Sequence, residues 1–124
     1  MTRVSASWLA ELQLRDRARD APTFRNEAEF QSAIVKLATR HGWHHFHVHD
    51  SRRSKEGWPD LVLAHEPTGR LLFRELKNTG GTLTGPQKAW IARLRLGGCD
   101  AGAWWPSDWS EIHATLTGKE RDEW

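Results

Sequence analysis

Residues 58–78 read WPDLVLAHEPTGRLLFRELKN, two β-rich runs on either side of the triplet Pro67-Thr68-Gly69. A short Pro/Gly link between two such runs predicts an antiparallel hairpin. Counted from a turn centred near Thr68, Asp60 lies eight residues before it and Glu75 seven after. Paired strands would then set the two carboxylates side by side at the same end of the hairpin. Glu75 and Lys77 are two residues apart and share a strand face. Neighbouring carboxylates repel unless a cation sits between them, and hard oxygen donors with room for water suit Mg²⁺ or Mn²⁺. Lys77 adds a positive charge that can hold a phosphate or orient a water.

Outward from the hairpin, the pattern alternates between helix and strand. Downstream, TGGTLTG (79–85) is a glycine-rich loop that leads into the helix PQKAWIARLRLG (86–97). CDAGAWWP (99–106) reads as a short buried strand, and SDWSEIHATLTG (107–118) as a final helix capped by Ser107. Upstream, NEAEFQSAIVKLATRHG (26–42) runs from a good N-cap, Asn26, to a C-terminal glycine. Phe30, Ile34, Leu37 and Ala38 form its apolar stripe. Residues 6–19, with Trp8, Leu9 and Leu12, have the spacing of an amphipathic helix, which Asp20 and Pro22 end. The order α-α-β-β-β-α-β-α predicts an α/β or α+β fold, a mixed sheet flanked by helices.

The stretch HGWHHFHVHD (41–50) holds five histidines and invites a transition-metal reading. Its period of two argues against that reading. As a strand it is expected to turn Phe46 and Val48 inward and His45, His47 and His49 to the other side. An i, i+2, i+4 ladder spans roughly 13 Å at about 3.3 Å per residue, too far for one ion to be shared by all three. His47 and His49 are the ones expected beside the carboxylates or a phosphate. The loop SRRSKEG (51–57) carries Arg52, Arg53 and Lys55 directly ahead of Asp60.

The totals set wide limits. At 124 residues the chain is the size of one domain, and a lone Cys99 excludes an internal disulfide or a multi-cysteine zinc site. No run approaches the roughly 18 apolar residues of a membrane span, and the N-terminus has no apolar signal core. A soluble protein of the cytoplasm, with no membrane partner, is the expectation. A net charge of +2 permits a nucleic-acid partner without demanding one.

PD followed about fifteen residues later by ELK resembles the PD-(D/E)XK nuclease superfamily, whose fold is restriction-endonuclease-like. The wider frame of GWPDLVL, RELKNTGGTLTGPQKAW and LRLGGCDAGAWWPSDWSEI is similar to the VRR-NUC family, including its small phage and bacterial members. The resemblance covers roughly residues 24–117, which divides the chain into an N-terminal helical extension (1–22), a nuclease domain (23–118) and a tail (119–124). It implies that Asp60, Glu75 and the backbone carbonyl of Leu76 hold the metal and that Lys77 positions and activates a water. It also implies a glutamate from the first core helix. Glu27 shares the face of Phe30 and Ile34, whereas Glu29 lies about 200° around from Glu27 and should face solvent, so Glu27 is the expected ligand. Gln87 matches the family's helix glutamine, near the scissile phosphate. Arg52, Arg53, Lys55 and Lys88, with His47 and His49, are expected to contact DNA, and Arg93 to extend that surface.

The activity implied is a Mg²⁺- or Mn²⁺-dependent DNA endonuclease selective for branched structure, like a Holliday junction resolvase, with no organic cofactor. Resolving a two-fold junction takes two cuts, which predicts a homodimer. A flap, nick or duplex nuclease of the same fold is the alternative. A non-catalytic DNA-binding module is the other, although a pure binder has no need of a carboxylate pair.

Overall fold

Asn26 starts the first helix as its type dictates: its side-chain oxygen accepts the Glu29 N–H at 2.9 Å. That helix, α1, runs Glu27–Arg40. Replacing Asn26 with Ala should cost about 1 kcal/mol, the usual worth of such a cap, read as a lowered urea midpoint at unchanged slope. The structure, a computed structural model, describes residues 21–48 and 55–119. The expected helix at 6–19, together with His49, Arg52 and Arg53, lies outside the described residues.

After α1 come β1 (Trp43–His47), β2 (Leu61–His65) and β3 (Arg70–Leu76), then α2 (Gly85–Leu96), β4 (Asp100–Trp104) and α3 (Trp109–Thr117). The strands form one sheet in the order β1-β2-β3-β4. The β1–β2 and β2–β3 pairs are antiparallel, and β3–β4 is parallel. A parallel neighbour needs a crossover, and α2 supplies it.

Register assigns the two faces. Leu61 pairs with Arg74 and Leu63 with Leu72, while Leu76 pairs with Trp104 across the parallel junction. These residues share one face, where Leu61, Leu63, Leu72, Leu76 and Trp104 are buried against Phe30, Ile34 and Ala38 of α1 and Ile112 and Leu116 of α3. Arg74 is the charged member of that face. Its guanidinium lies 4.8 Å over the Trp104 ring and donates to the Asp100 carbonyl at 2.8 Å and the Asp100 carboxylate at 2.7 Å. Burial pushes the Asp100 carboxyl upward, but Arg74 and then Arg70 outweigh that and hold it below its ordinary value.

The opposite face carries Val62, Phe73, Glu75, Ala101 and Ala103. Helix α2 packs over its β4 side with Ile91 buried, and Phe46 remains 64% exposed. The expected inward turn of Phe46 is therefore corrected. Trp43 sets the orientation of β1, because its indole is buried and donates to the Leu116 carbonyl at 2.9 Å. His45 and His47 share the Trp43 face, and Phe46 is left on the other. At the last helix a 3₁₀ turn, Pro106–Asp108, comes first, and Asp108 rather than Ser107 accepts the Trp105 N–H at 2.9 Å.

Candidate active site

The ladder between β2 and β3 ends where the chemistry begins. Leu61 pairs with Arg74, so one step further Asp60 stands opposite Glu75. The strand starts at Leu61 rather than at Asp60, and Pro59 explains why. Continuing the register, Pro59 faces Leu76, and a proline has no N–H to give to the Leu76 carbonyl. The Leu76 N–H turns to the Asp60 carboxylate instead, at 3.0 Å. Asp60 is therefore held by a backbone donor, and the Leu76 carbonyl has lost its ladder donor at the same place. The sheet continues on either side: the Val48 N–H reaches the Asp60 carbonyl at 3.2 Å, and the Lys77 N–H reaches the Trp104 carbonyl at 3.0 Å.

Glu75 is only 3% exposed. Its Oε1 accepts from the Gln87 side-chain amide at 2.9 Å and lies 3.9 Å from Lys77 Nζ. Its Oε2 is buried and has no hydrogen-bond partner. Burial, then the nearby Asp60 side chain, push the Glu75 carboxyl up to about 8, and Lys77 opposes the rise. A buried acid with an orphaned oxygen beside a second carboxylate is a poor resting arrangement in the absence of a cation.

The donor set suits a hard divalent ion. Two carboxylates and a released carbonyl are all oxygen ligands, and Mg²⁺ takes few protein ligands while keeping several waters. Among the described residues no three His, Cys, Asp or Glu side chains group as metal ligands. Neither a histidine site on His41, His44, His45 and His47 nor a third carboxylate at Asp60 and Glu75 is formed.

Glu27 is the carboxylate that does not join. It is exposed, and α1 packs on the sheet face opposite Glu75, so helical spacing placed it near Phe30 without placing it near the pair. Glu29, expected in solvent, is the partly buried one and pairs with Arg25 at 2.8 Å. The start of α1 is nevertheless tied to the end of β3, since the Asn78 amide donates to the Phe24 carbonyl at 3.2 Å.

His47 pairs with Leu61 and so lies on the α1 face, its ring stacked on His45 with centroids 6.0 Å apart. Lys88 is exposed on α2 immediately after Gln87, and Lys55 is exposed in the loop before Trp58. Arg93 stacks over Trp90 at 5.2 Å on the same helix. The roles of two residues escaped the sequence reading. Thr84 forms a reciprocal cap with Gln87, and Gly57 lies against the start of α2. The T-x-x-Q spacing at 84–87 was the available signal for the first.

The sequence model of the VRR-NUC domain matches residues 4–104. A solved VRR-NUC domain protein superposes with a TM-score of 0.56 at 19% identity, over 78% of this chain and 89% of its own. That likeness shows a shared fold, the restriction-endonuclease-like sheet flanked by helices. A Holliday junction resolvase from the archaeal hyperthermophile Archaeoglobus fulgidus aligns with a TM-score of 0.46 at 20% identity, over 60% of this chain and 62% of that one. No curated protein matches.

Proposed function

The chain belongs to the VRR-NUC family of nucleases, and from that premise we propose that it is a Mg²⁺- or Mn²⁺-dependent DNA endonuclease that cuts branched structures as a homodimer. The observation that carries the metal reading is the buried Glu75 beside Asp60, with Oε2 unpartnered. Asp60 and Glu75 would hold the ion, and the Leu76 carbonyl, without its ladder donor, would be the third protein oxygen. Glu27, at the start of α1, would be the further carboxylate that the family resemblance assigns to the ion, although it stands apart from the pair here. The cation, when bound, supplies a water of lowered pKa and offsets charge developing on the phosphoryl group.

The chain's own residues do the rest. The Lys77 ammonium stands on the strand face of Glu75 and can orient the attacking water and hold a non-bridging phosphate oxygen. Gln87 fixes Glu75 by its amide. Lys88 and Arg93 on α2 and Lys55 before β2, with Arg52 and Arg53 beside it in sequence, give the duplex cationic contacts that position it without reading bases. His47, although on the α1 face, and His49, two residues on in sequence, would be further phosphate contacts. A four-way junction is two-fold symmetric, so a C2 dimer presents one such site to each of two strands.

Purified protein should nick a four-way junction in Mg²⁺ or Mn²⁺ and not in EDTA, faster than it cuts a 5′ flap or linear duplex. Lys77→Ala should reduce the rate by about 10²–10⁴-fold, the range for losing a positioned proton-transfer group. Activity that survives EDTA or Lys77→Ala would refute the catalytic assignment. Equal rates on all three substrates would refute the structure selectivity alone, and a monomer at micromolar concentration would refute the dimer.

A further inference from the structure

The Gln87 amide has a fixed polarity. Its Oε1 accepts the backbone N–H of Thr84 at 2.9 Å, while the Thr84 hydroxyl accepts the Gln87 N–H at 3.3 Å. This is a complete capping box at the start of α2. With the oxygen engaged by the cap, only Nε2 is left to face Glu75, and an amide nitrogen can only donate. The same side chain thus closes the helix and holds the buried carboxylate at 2.9 Å.

The loop ahead of β2 fixes where that helix start can sit. Gly57 has φ +86°, a conformation that L side chains rarely adopt. A Cβ built on it would overlap the Pro86 carbonyl group and lie 2.7 Å from the Gln87 backbone nitrogen. Loop 55–58 and the first turn of α2 are therefore in direct backbone contact. Gly57 lies three residues before Asp60, so one short segment carries one carboxylate and locates the helix that orients the other.

We propose that Gly57 and Thr84 are positioning residues. Gly57 and the Thr84 hydroxyl place the helix start, which brings the Gln87 side chain into reach of the Thr84 backbone N–H that sets its polarity, so that it occupies Glu75 Oε1 and leaves Oε2 to a divalent cation. The inference rests on the metal-site reading above and adds what determines the affinity of that site. A residue that orients a metal ligand directly, as Gln87 does, typically changes metal affinity by about 10–100-fold when lost, and Gly57 and Thr84 act through it.

Mn²⁺ binding to the full-length protein, measured by calorimetry without DNA, tests this separately from cleavage. Gly57→Ala and Thr84→Val should each weaken Mn²⁺ binding about tenfold or more. Thr84→Ser, which keeps the hydroxyl, should bind as the parent does. Thermal melts in EDTA identify any variant that has lost its fold, and Thr84→Val against Thr84→Ser decides the matter if Gly57→Ala does not fold. If the parent binds Mn²⁺ and both Thr84→Val and a folded Gly57→Ala bind it equally well, the positioning role is wrong and the metal site stands. If Thr84→Ser is as weak as Thr84→Val, the hydroxyl is not the determinant and the proposal fails. A parent that binds no Mn²⁺ overturns the metal reading and this inference together.

Discussion

Glu75→Gln should abolish Mg²⁺-dependent cleavage and, in the same protein, raise the melting temperature in EDTA above pH 8. The first effect follows from removing an anionic oxygen from a site with two carboxylates. The loss should be about 10³-fold or more, in line with removing a group that stabilises transition-state charge. The second follows from linkage. The Glu75 carboxyl is raised to about 8 in the folded chain, against about 4.3 when unfolded. An acid raised by folding contributes stability that is complete below its unfolded pKa and is lost as pH rises through the folded one. The metal-free parent should therefore lose stability from about pH 4.5 to 8, and Glu75→Gln, neutral throughout, should lack that part of the slope. Asp100 acts with the opposite sign: its lowered pKa contributes stability above the unfolded value that is lost on acidification. The comparison is thus parent against Glu75→Gln at each pH. A variant less stable than the parent at pH 8.5 in EDTA would show that the carboxylate pair is not strained.

Trp104→Ala should destabilise the protein by about 3–5 kcal/mol, the cost of deleting a buried aromatic. That is a large part of the ~5–15 kcal/mol that holds a domain folded. Trp104 is 1% exposed, in the core on the parallel strand. Its ring carries the Arg74 guanidinium, and its carbonyl receives the Lys77 N–H. Truncation opens a cavity and also leaves Arg74, itself 7% exposed, without the surface it stacks on. Trp104→Phe keeps most of the apolar area and should cost less than half as much. Urea unfolding followed by circular dichroism gives both values, and equal losses for Ala and Phe would show that cavity size is not the cause.

The hairpin was legible because counting from a turn is arithmetic, and the same arithmetic placed Asp60 opposite Glu75. Helix limits were legible wherever a cap spoke for itself, as Asn26 and Gly97 do. The side of a strand that is covered was not. Alternation in β1 separates Phe46 from His45 and His47, but only the burial of Trp43 against α3 says which set turns in, and that contact is 73 residues distant in sequence. The exposure of Glu27, expected on the buried face, has a related reason. A helical wheel gives an angle around the helix axis, while the side of the sheet on which α1 packs is a tertiary choice. The motif GWPDLVL includes Gly57, but its role was not legible there, since the backbone it must clear belongs to Pro86.

The raised Glu75 carboxyl also bears on the order in which partners arrive. A carboxyl raised to about 8 favours the protonated form near pH 7 in the absence of metal, which removes one negative charge from beside Asp60 and Lys77. To an approaching phosphodiester the carboxyl pair is then less negative than two ionised acids would be. On the reading proposed above, DNA would dock on the cationic residues of α2 before an ion, and the ion would enter in exchange for the Glu75 proton.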